Sequence, residues 1–303
     1  MGALVSELRE SLRTAGPKSV PRRLWFWYRQ HGLRERIFRE YENSNDPEVL
    51  AVLDFLSNHP DLELPAGMAP PYPWVDEYFN QNIDVERDTS TGMLFTIVKG
   101  NRIFFPRTAT IASVQESVRI AHMEQDPRSP HAYLSGTHVP DTGDVAGFVG
   151  ASDGIFCLSL IDRLSRAYLF EPDSAWHEPL RATTEPWRDK IEIVPLALGN
   201  QDGAGTIRLD SFLAQRGAAL NFIQMDVEGH ESEVLEGASK LLREAKKLRL
   251  SICAYHKRLD YPNFESLLSG LGYVVKHSPG FFVLGIRMPY FRRGVLYASR
   301  GQS

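Results

Sequence analysis

The chain has 303 residues, of which 43% are hydrophobic and 24% charged, with a formal charge of −4 at pH 7. This is the balance of a soluble globular protein able to build a core without staples, and no basic excess announces a nucleic-acid partner. Cys157 and Cys253 are too few for a disulfide framework or a thiolate metal site and are expected to be buried free thiols.

The opening MGALVSELRESLRTAG mixes acids and bases and lacks an apolar signal core. No stretch approaches the roughly 18 to 20 apolar residues of a membrane span, so a cytoplasmic location is expected. Leu4, Val5, Leu8 and Leu12 repeat at helical spacing until Gly16 and Pro17 stop the run. Behind an aromatic cluster at Trp25, Phe26, Trp27 and Tyr28, which is expected to pack rather than bind, Leu33, Ile37 and Tyr41 share a second helical face. A third helix is expected to start at Asp46 as N-cap with Pro47 at its first position, and Val49, Val52, Leu53 and Leu56 form its stripe. Pro60, Pro65, Pro70, Pro71 and Pro73 then form a linker. Residues 1–75 are thus expected to be a helical N-terminal region.

Residues 76–142 are expected to bridge to the main domain. Met93 to Val98 and Arg102 to Phe105 flank Lys99-Gly100-Asn101 as a hairpin, and a helix carrying Val114, Val118 and Ala121 follows. From residue 143 to 303, apolar strands alternate with helical patterns, which predicts a mostly parallel sheet covered by helices. The strands are Val145–Val149, Ala167–Phe170, Ile191–Leu198, Phe222–Met225, Leu248–Cys253, Tyr273–Lys276 and Phe281–Ile286. The clearest helix spans Glu231 to Lys246. Only Ser278-Pro279-Gly280 separates the last two strands, too short for a parallel crossover, so they are expected to pair antiparallel.

The first of these strands runs into Gly150-Ala151-Ser152-Asp153-Gly154, a turn that lets backbone approach a ligand closely. Its spacing is not G-x-G-x-x-G, which disfavours a dinucleotide diphosphate and a nicotinamide dehydrogenase. Glu171, followed by Pro172, closes the second strand, where an acid can accept hydrogen bonds from two ribose hydroxyls of a nucleoside cofactor. Leu198, in the turn after the third strand, is a weaker candidate for the adenine border.

Met225-Asp226-Val227-Glu228-Gly229-His230-Glu231, followed by Val234-Leu235-Glu236-Gly237-Ala238, resembles the FkbM methyltransferases. Phe170-Glu171-Pro172-Asp173 resembles their ribose motif. Glu124 to His131, Tyr133-Leu134 and Tyr255-His256-Lys257 resemble segments of one subgroup. The resemblance covers about residues 93 to 285. It implies an α/β, Rossmann-like methyltransferase sheet, mostly parallel with an antiparallel last strand, behind an N-terminal helical extension. It further implies S-adenosylmethionine as methyl donor and O-methylation of a small-molecule acceptor, a sugar or natural-product alcohol. Phe148 departs from the family, whose first motif carries an acid there; Asp153 and Asp144 are the acids placed to compensate. That departure is the best support for a rival reading, a degenerate methyltransferase fold serving as a binding module.

On the acceptor side, Asp226 and Glu228 close the fourth strand and His256 the fifth, so all three border the crevice at the carboxyl ends of the strands. Asp226 and Glu228 reach it together only if the chain turns at Gly229. His256 as general base is placed first. The alternatives are a divalent metal held by Asp226, Glu228 and His256, or helix capping by Glu228 and His230 with a structural His256. Arg128 and His131 are weaker candidates for an acceptor lid.

Overall fold

The structure is a computed structural model and describes residues 32–62, 64, 70–284 and 288–301. The helix expected around Leu4, Val5, Leu8 and Leu12, its stop at Gly16 and Pro17, the cluster Trp25 to Tyr28, and Pro65 lie outside the described residues. Two compact units are formed, one from Met1–Pro73 with Gly280–Arg292, the other from Trp74–Pro279 with Arg293–Ser303.

In the first unit, Leu33 and Ile37 stand one turn apart on α1 (Leu33–Tyr41) and are completely buried. They share a core with Val49, Val52 and Leu56 of α2 (Pro47–Asn58). Asp46 starts α2 as the sequence predicts, its carboxylate accepting the Glu48 N–H at 2.9 Å, with Pro47 at a position that needs no N–H partner. Residues 280–292 add Phe281, Val283, Tyr290 and Phe291 to this core, as a short antiparallel ribbon of Phe282–Val283 with Phe291–Arg292. Phe291 stacks on Tyr41 at 4.3 Å.

The second unit begins with α3 (Asp76–Phe79) and a three-stranded sheet of β1 (Val85–Arg87), β2 (Leu94–Val98) and β3 (Asn101–Phe104). Lys99 and Gly100 join β2 to β3 with φ of 49° and 83°, the left-handed pair that a two-residue hairpin requires. A reciprocal cap between Thr110 and Ser113 then opens α4 (Ile111–Glu124).

Strand and helix alternate from there: β4 (Val145–Val149), α5 (Ile155–Leu160), β5 (Arg166–Phe170), α6 (Ser174–Thr184), β6 (Ile191–Val194), β7 (Ala197–Leu198), β8 (Thr206–Ile207), α7 (Leu209–Arg216), β9 (Phe222–Met225), α8 (Glu231–Gly237), α9 (Ser239–Glu244), β10 (Leu248–Cys253), α10 (Asp260–Gly270), β11 (Val274–His277) and β12 (Val295–Arg300). Seven of these strands form one sheet in the order β11-β12-β10-β9-β4-β5-β6. The five from β10 to β6 are parallel, and β12 runs antiparallel to both neighbours. This is the mostly parallel Rossmann-like sheet that the sequence leads one to expect.

Alternate residues of the strands feed two cores. Val149, Phe170 and Met225 face Phe212 of α7, Leu235 of α8 and Phe264 of α10. Ala146, Phe148 and Leu169 face Val114 and Val118 of α4 and Leu158 of α5. Burial on both faces is what a parallel sheet requires of its strands. Among the described residues no helix is long and apolar enough to cross a membrane.

Three expectations are corrected. The strand Ile191–Leu198 stops at Val194, because Pro195 has no N–H for the ladder, and Ala197–Leu198 pairs instead with β8. The helix from Glu231 to Lys246 is broken at Ala238. The hairpin between residues 273–276 and 281–286 does not form: β11 pairs with β12, while Phe282–Val283 belongs to the first unit. The antiparallel last strand is therefore Val295–Arg300, and residues 285 and 286 lie outside the described ones.

Candidate functional site

The strand order reverses between β4 and β9, with β5 and β6 on one side and β10 on the other. Chain segments leaving the carboxyl ends of β4 and β9 must diverge there, which opens a crevice. The glycine turn, Glu171, Asp226 and His256 each follow the carboxyl end of a strand of this sheet.

After Val149, Gly150 turns at φ 80°, and its N–H and that of Ala151 donate to the Phe170 carbonyl at 3.0 and 3.2 Å. A Cβ on Gly150 would stand 1.9 Å from the carbonyl oxygen of Asp226, so only glycine allows the turn to lie against the end of β9. Ser152 follows at φ 46°, and Gly154 at φ 77° opens α5. Asp153 accepts the Ile155 N–H at 2.9 Å, and burial pushes its carboxyl up to about 6.

Glu171 ends β5 almost fully buried. One of its oxygens accepts the Ser152 N–H and the other the Asp173 N–H, both at 2.9 Å. The carboxylate thereby ties the glycine turn to the neighbouring strand, and each oxygen keeps a lone pair for a further donor. Pro172 beside it is exposed. Leu198 is also buried, as a member of the hydrophobic core on β7.

Across the crevice, Asp226 follows β9 and its N–H returns to the Val149 carbonyl at 2.9 Å. Its Oδ2 accepts the Tyr133 hydroxyl at 2.9 Å and lies 3.3 Å from His131 Nε2, while Oδ1 lies 3.5 Å from His256 Nε2. Burial alone raises a carboxyl, but His131, His256 and Tyr133 together hold Asp226 down at about 2. Glu228 turns the chain at φ 53°, followed by Gly229 at 95°. The Glu228 side chain is 86% exposed, yet its Oε2 comes within 3.5 Å of His256 Nε2.

His256 is largely buried and places Nδ1 2.9 Å from Glu231 Oε1. Burial lowers its basicity, but Glu231, Asp226 and Glu228 outweigh this and raise it above the ordinary imidazole value. His131 is 1% exposed rather than on a surface loop. Burial opposes its charge, but Glu124 at 3.8 Å and Asp226 push it up to about 9. Tyr255 Oη at 3.0 Å and Cys253 Sγ at 3.6 Å complete its surroundings.

The candidates thus separate into three groups. The turn 150–154 and Glu171 form one, Asp226, Glu228, His256 and His131 a second. Arg128 stands apart: it pairs with Asp126 at 2.7 Å and Glu77 of α3 at 3.1 Å, and lies over the Trp74 ring. One donor atom each from Asp226, Glu228 and His256, or from His131, Asp226 and Cys253, falls within 4.8 Å of the others, close enough to consider a cation. The sequence candidates omit Glu124, Tyr133, Cys253, Tyr255 and Glu231. Glu124, Tyr133, Tyr255 and Glu231 lie in the segments that carry the family resemblance, and Glu231 is also an acid at the first position of an expected helix; Cys253 gives no signal beyond its apolar run. Phe148, where the FkbM resemblance leads one to expect an acid, is 1% exposed and meets Phe156 edge to face at 5.9 Å.

The methyltransferase FkbM domain model matches residues 204–275, the stretch that runs from β8 to β11 and contains Asp226, Glu231 and His256. No curated protein matches the sequence. Among solved structures, methyltransferase FkbM from Methylobacillus flagellatus KT is 22% identical, with a TM-score of 0.46; the match covers 63% of this chain and 55% of that one. TYW2 from M. jannaschii, in complex with AdoMet, is 14% identical over 68% of this chain and 84% of that one, with a TM-score of 0.38. An rRNA methylase from Streptococcus thermophilus is 12% identical over 54% and 89%, with a TM-score of 0.37.

Proposed function

With an FkbM methyltransferase domain at residues 204–275 as the premise, we propose that this chain transfers a methyl group from S-adenosylmethionine to a hydroxyl of a small acceptor, with His256 as general base. The observation that carries the reading is the gathering of the glycine turn, Glu171, Asp226 and His256 at the point where strand order reverses. The residues fit the cofactor chemically. Glu171 supplies a buried carboxylate with acceptor capacity left for ribose hydroxyls, and the ionised Asp226 complements a sulfonium charge. Residues 150–154 and Glu171 would hold it, and it would supply an electrophilic methyl group.

The protein's own part is orientation and proton removal. Neutral His256 accepts the hydroxyl proton at Nε2, the nitrogen that faces Asp226 and Glu228. Asp226, held ionised, then stabilises the imidazolium. A formal charge of −4 favours a small acceptor over nucleic acid.

Calorimetry with S-adenosylmethionine, its demethylated product and NAD tests the cofactor assignment. The first two are expected to bind and NAD is not, and Glu171→Ala should weaken S-adenosylmethionine by about 1.5 to 3 kcal/mol, the scale of hydrogen bonds to a charged group. Formation of the demethylated product over a panel of sugars and alcohols tests turnover. His256→Ala should cost roughly 10²- to 10⁴-fold. Cofactor binding without turnover on any acceptor would favour the binding-module reading instead, which Phe148 in place of the motif acid supports.

A further inference from the structure

We propose that Glu231 is the positioning residue for His256: it fixes which imidazole nitrogen carries the proton and thereby makes Nε2 the basic one. The inference rests on the reading of His256 as base, and it concerns a residue with no part in that reading.

Glu231 stands at the first position of α8 with no solvent exposure. A carboxylate is costly to bury unless hydrogen bonds and charge compensate it. Here its Oε1 accepts the N–H groups of Val227 at 3.1 Å and Gly229 at 3.3 Å, and meets His256 Nδ1 at 2.9 Å. Val227 and Gly229 flank Glu228, whose left-handed turn brings its own carboxylate to the ring. One buried oxygen therefore holds both the acidic turn after β9 and the histidine after β10.

The chemistry follows from donor and acceptor rules. An ionised carboxylate has only acceptors, so the single proton of the neutral ring belongs on the nitrogen with the closer carboxylate, Nδ1 at 2.9 Å from Glu231 rather than Nε2 at 3.5 Å from Asp226 and Glu228. The neutral ring is then the Nδ1–H form, and its basic nitrogen is Nε2, which lies 3.5 Å from both Asp226 Oδ1 and Glu228 Oε2. The Tyr255 ring packs against the imidazole, with centroids 4.3 Å apart, and limits its rotation. A purely structural Glu231 would brace the turn without selecting a tautomer.

Nitrogen-15 NMR of the imidazoles in the full chain separates the two. Neutral His256 in the wild type is expected to carry its proton on Nδ1. Glu231→Gln, which removes the charge, should increase the Nε2–H form, and Glu231→Asp should restore Nδ1–H. On whichever alcohol of the panel turns over, Glu231→Gln should lower kcat by up to the roughly 10²- to 10⁴-fold that a general base supplies, with KM and S-adenosylmethionine affinity changed less than about twofold. Glu231→Asp should recover part of that loss. A wild-type spectrum with the proton on Nε2 overturns the proposal, whether or not the variants fold. So does an unchanged tautomer in a Glu231→Gln protein of native melting temperature. If the tautomers behave as expected and His256→Ala retains full turnover, the base reading fails while the Glu231–His256 relation stands.

Discussion

Phe148 and His256 show how a single position can set the character of this site. Phe148 is on the side of β4 that faces α4 and α5, among Ala146, Val118, Leu158 and Leu169. Phe148→Asp, the change that introduces the acid expected there from the FkbM resemblance, would empty an aromatic site and bury a charge there. Urea denaturation should show a loss of at least about 3 to 5 kcal/mol, the cost of deleting a buried aromatic ring. A stable Asp variant that binds cofactor more tightly would show instead that the crevice reaches this side chain. For His256, the carboxylates of Glu231, Asp226 and Glu228 outweigh burial and hold its titration above the ordinary 6.5. A base must be neutral to act, so turnover should rise with pH through a midpoint above 6.5 and level off beyond it. A metal-free base further implies that chelators leave this profile unchanged, whereas abolition by chelation and recovery with magnesium would assign Asp226, Glu228 and His256 to a cation.

At the scale of elements, two glycines let secondary structure pack closely around the site. Gly150 does so for the turn after β4, and Gly237 does so for α8. A Cβ on Gly237 would come 1.9 Å from the Gly199 carbonyl oxygen and 3.5 Å from the Arg208 backbone. The last turn of α8 therefore lies directly on the chain that follows β7. Gly237→Ala must displace one of them and should destabilise the unit by about 1 to 3 kcal/mol, the cost of overpacking. Gly270, at the end of α10, has nothing within 4 Å of its added Cβ. Gly270→Ala should be neutral or stabilise by up to about 1 kcal/mol through the unfolded chain. Thermal melts of the two variants check the contrast, and equal effects would contradict the packing assigned to Gly237.

For the molecule as a whole, the buried pair of Asp226 and His131 ties stability to pH in both directions. Asp226 titrates at about 2 when folded against an ordinary 3.8, so its contribution is present above 3.8 and is lost as pH falls toward 2. His131 titrates at about 9 against 6.5, so its contribution is complete below 6.5 and disappears as pH rises through 9. Both contributions are intact between about pH 4 and 6.5, and denaturant unfolding followed from pH 6.5 through 9 should show the loss of the second. Replacing His131 by Gln should remove the loss of stability on the alkaline side. An unaltered alkaline limb in that variant would show that the pair does not govern it.

The sequence by itself determined the sheet and much of the crevice. The runs Val145–Val149, Phe222–Met225 and Leu248–Cys253 are apolar throughout because both faces of a parallel strand are buried, and their bounds emerge unchanged. The glycine turn, Glu171 and Asp226 were legible because each sits at a strand end, where position follows from chain order. Phe281–Ile286 misled for the opposite reason: a short apolar run looks alike whether it joins a sheet or packs on helices. Only the tertiary structure decided that Val295–Arg300 is the antiparallel strand, since its partners β10 and β11 are distant in the chain. The same holds for the buried charges. Glu124, His131, Asp226, Glu231 and His256 span more than a hundred residues, and no spacing rule relates them. Their shifted protonation comes from mutual approach inside a low-dielectric interior, and folding alone creates that approach.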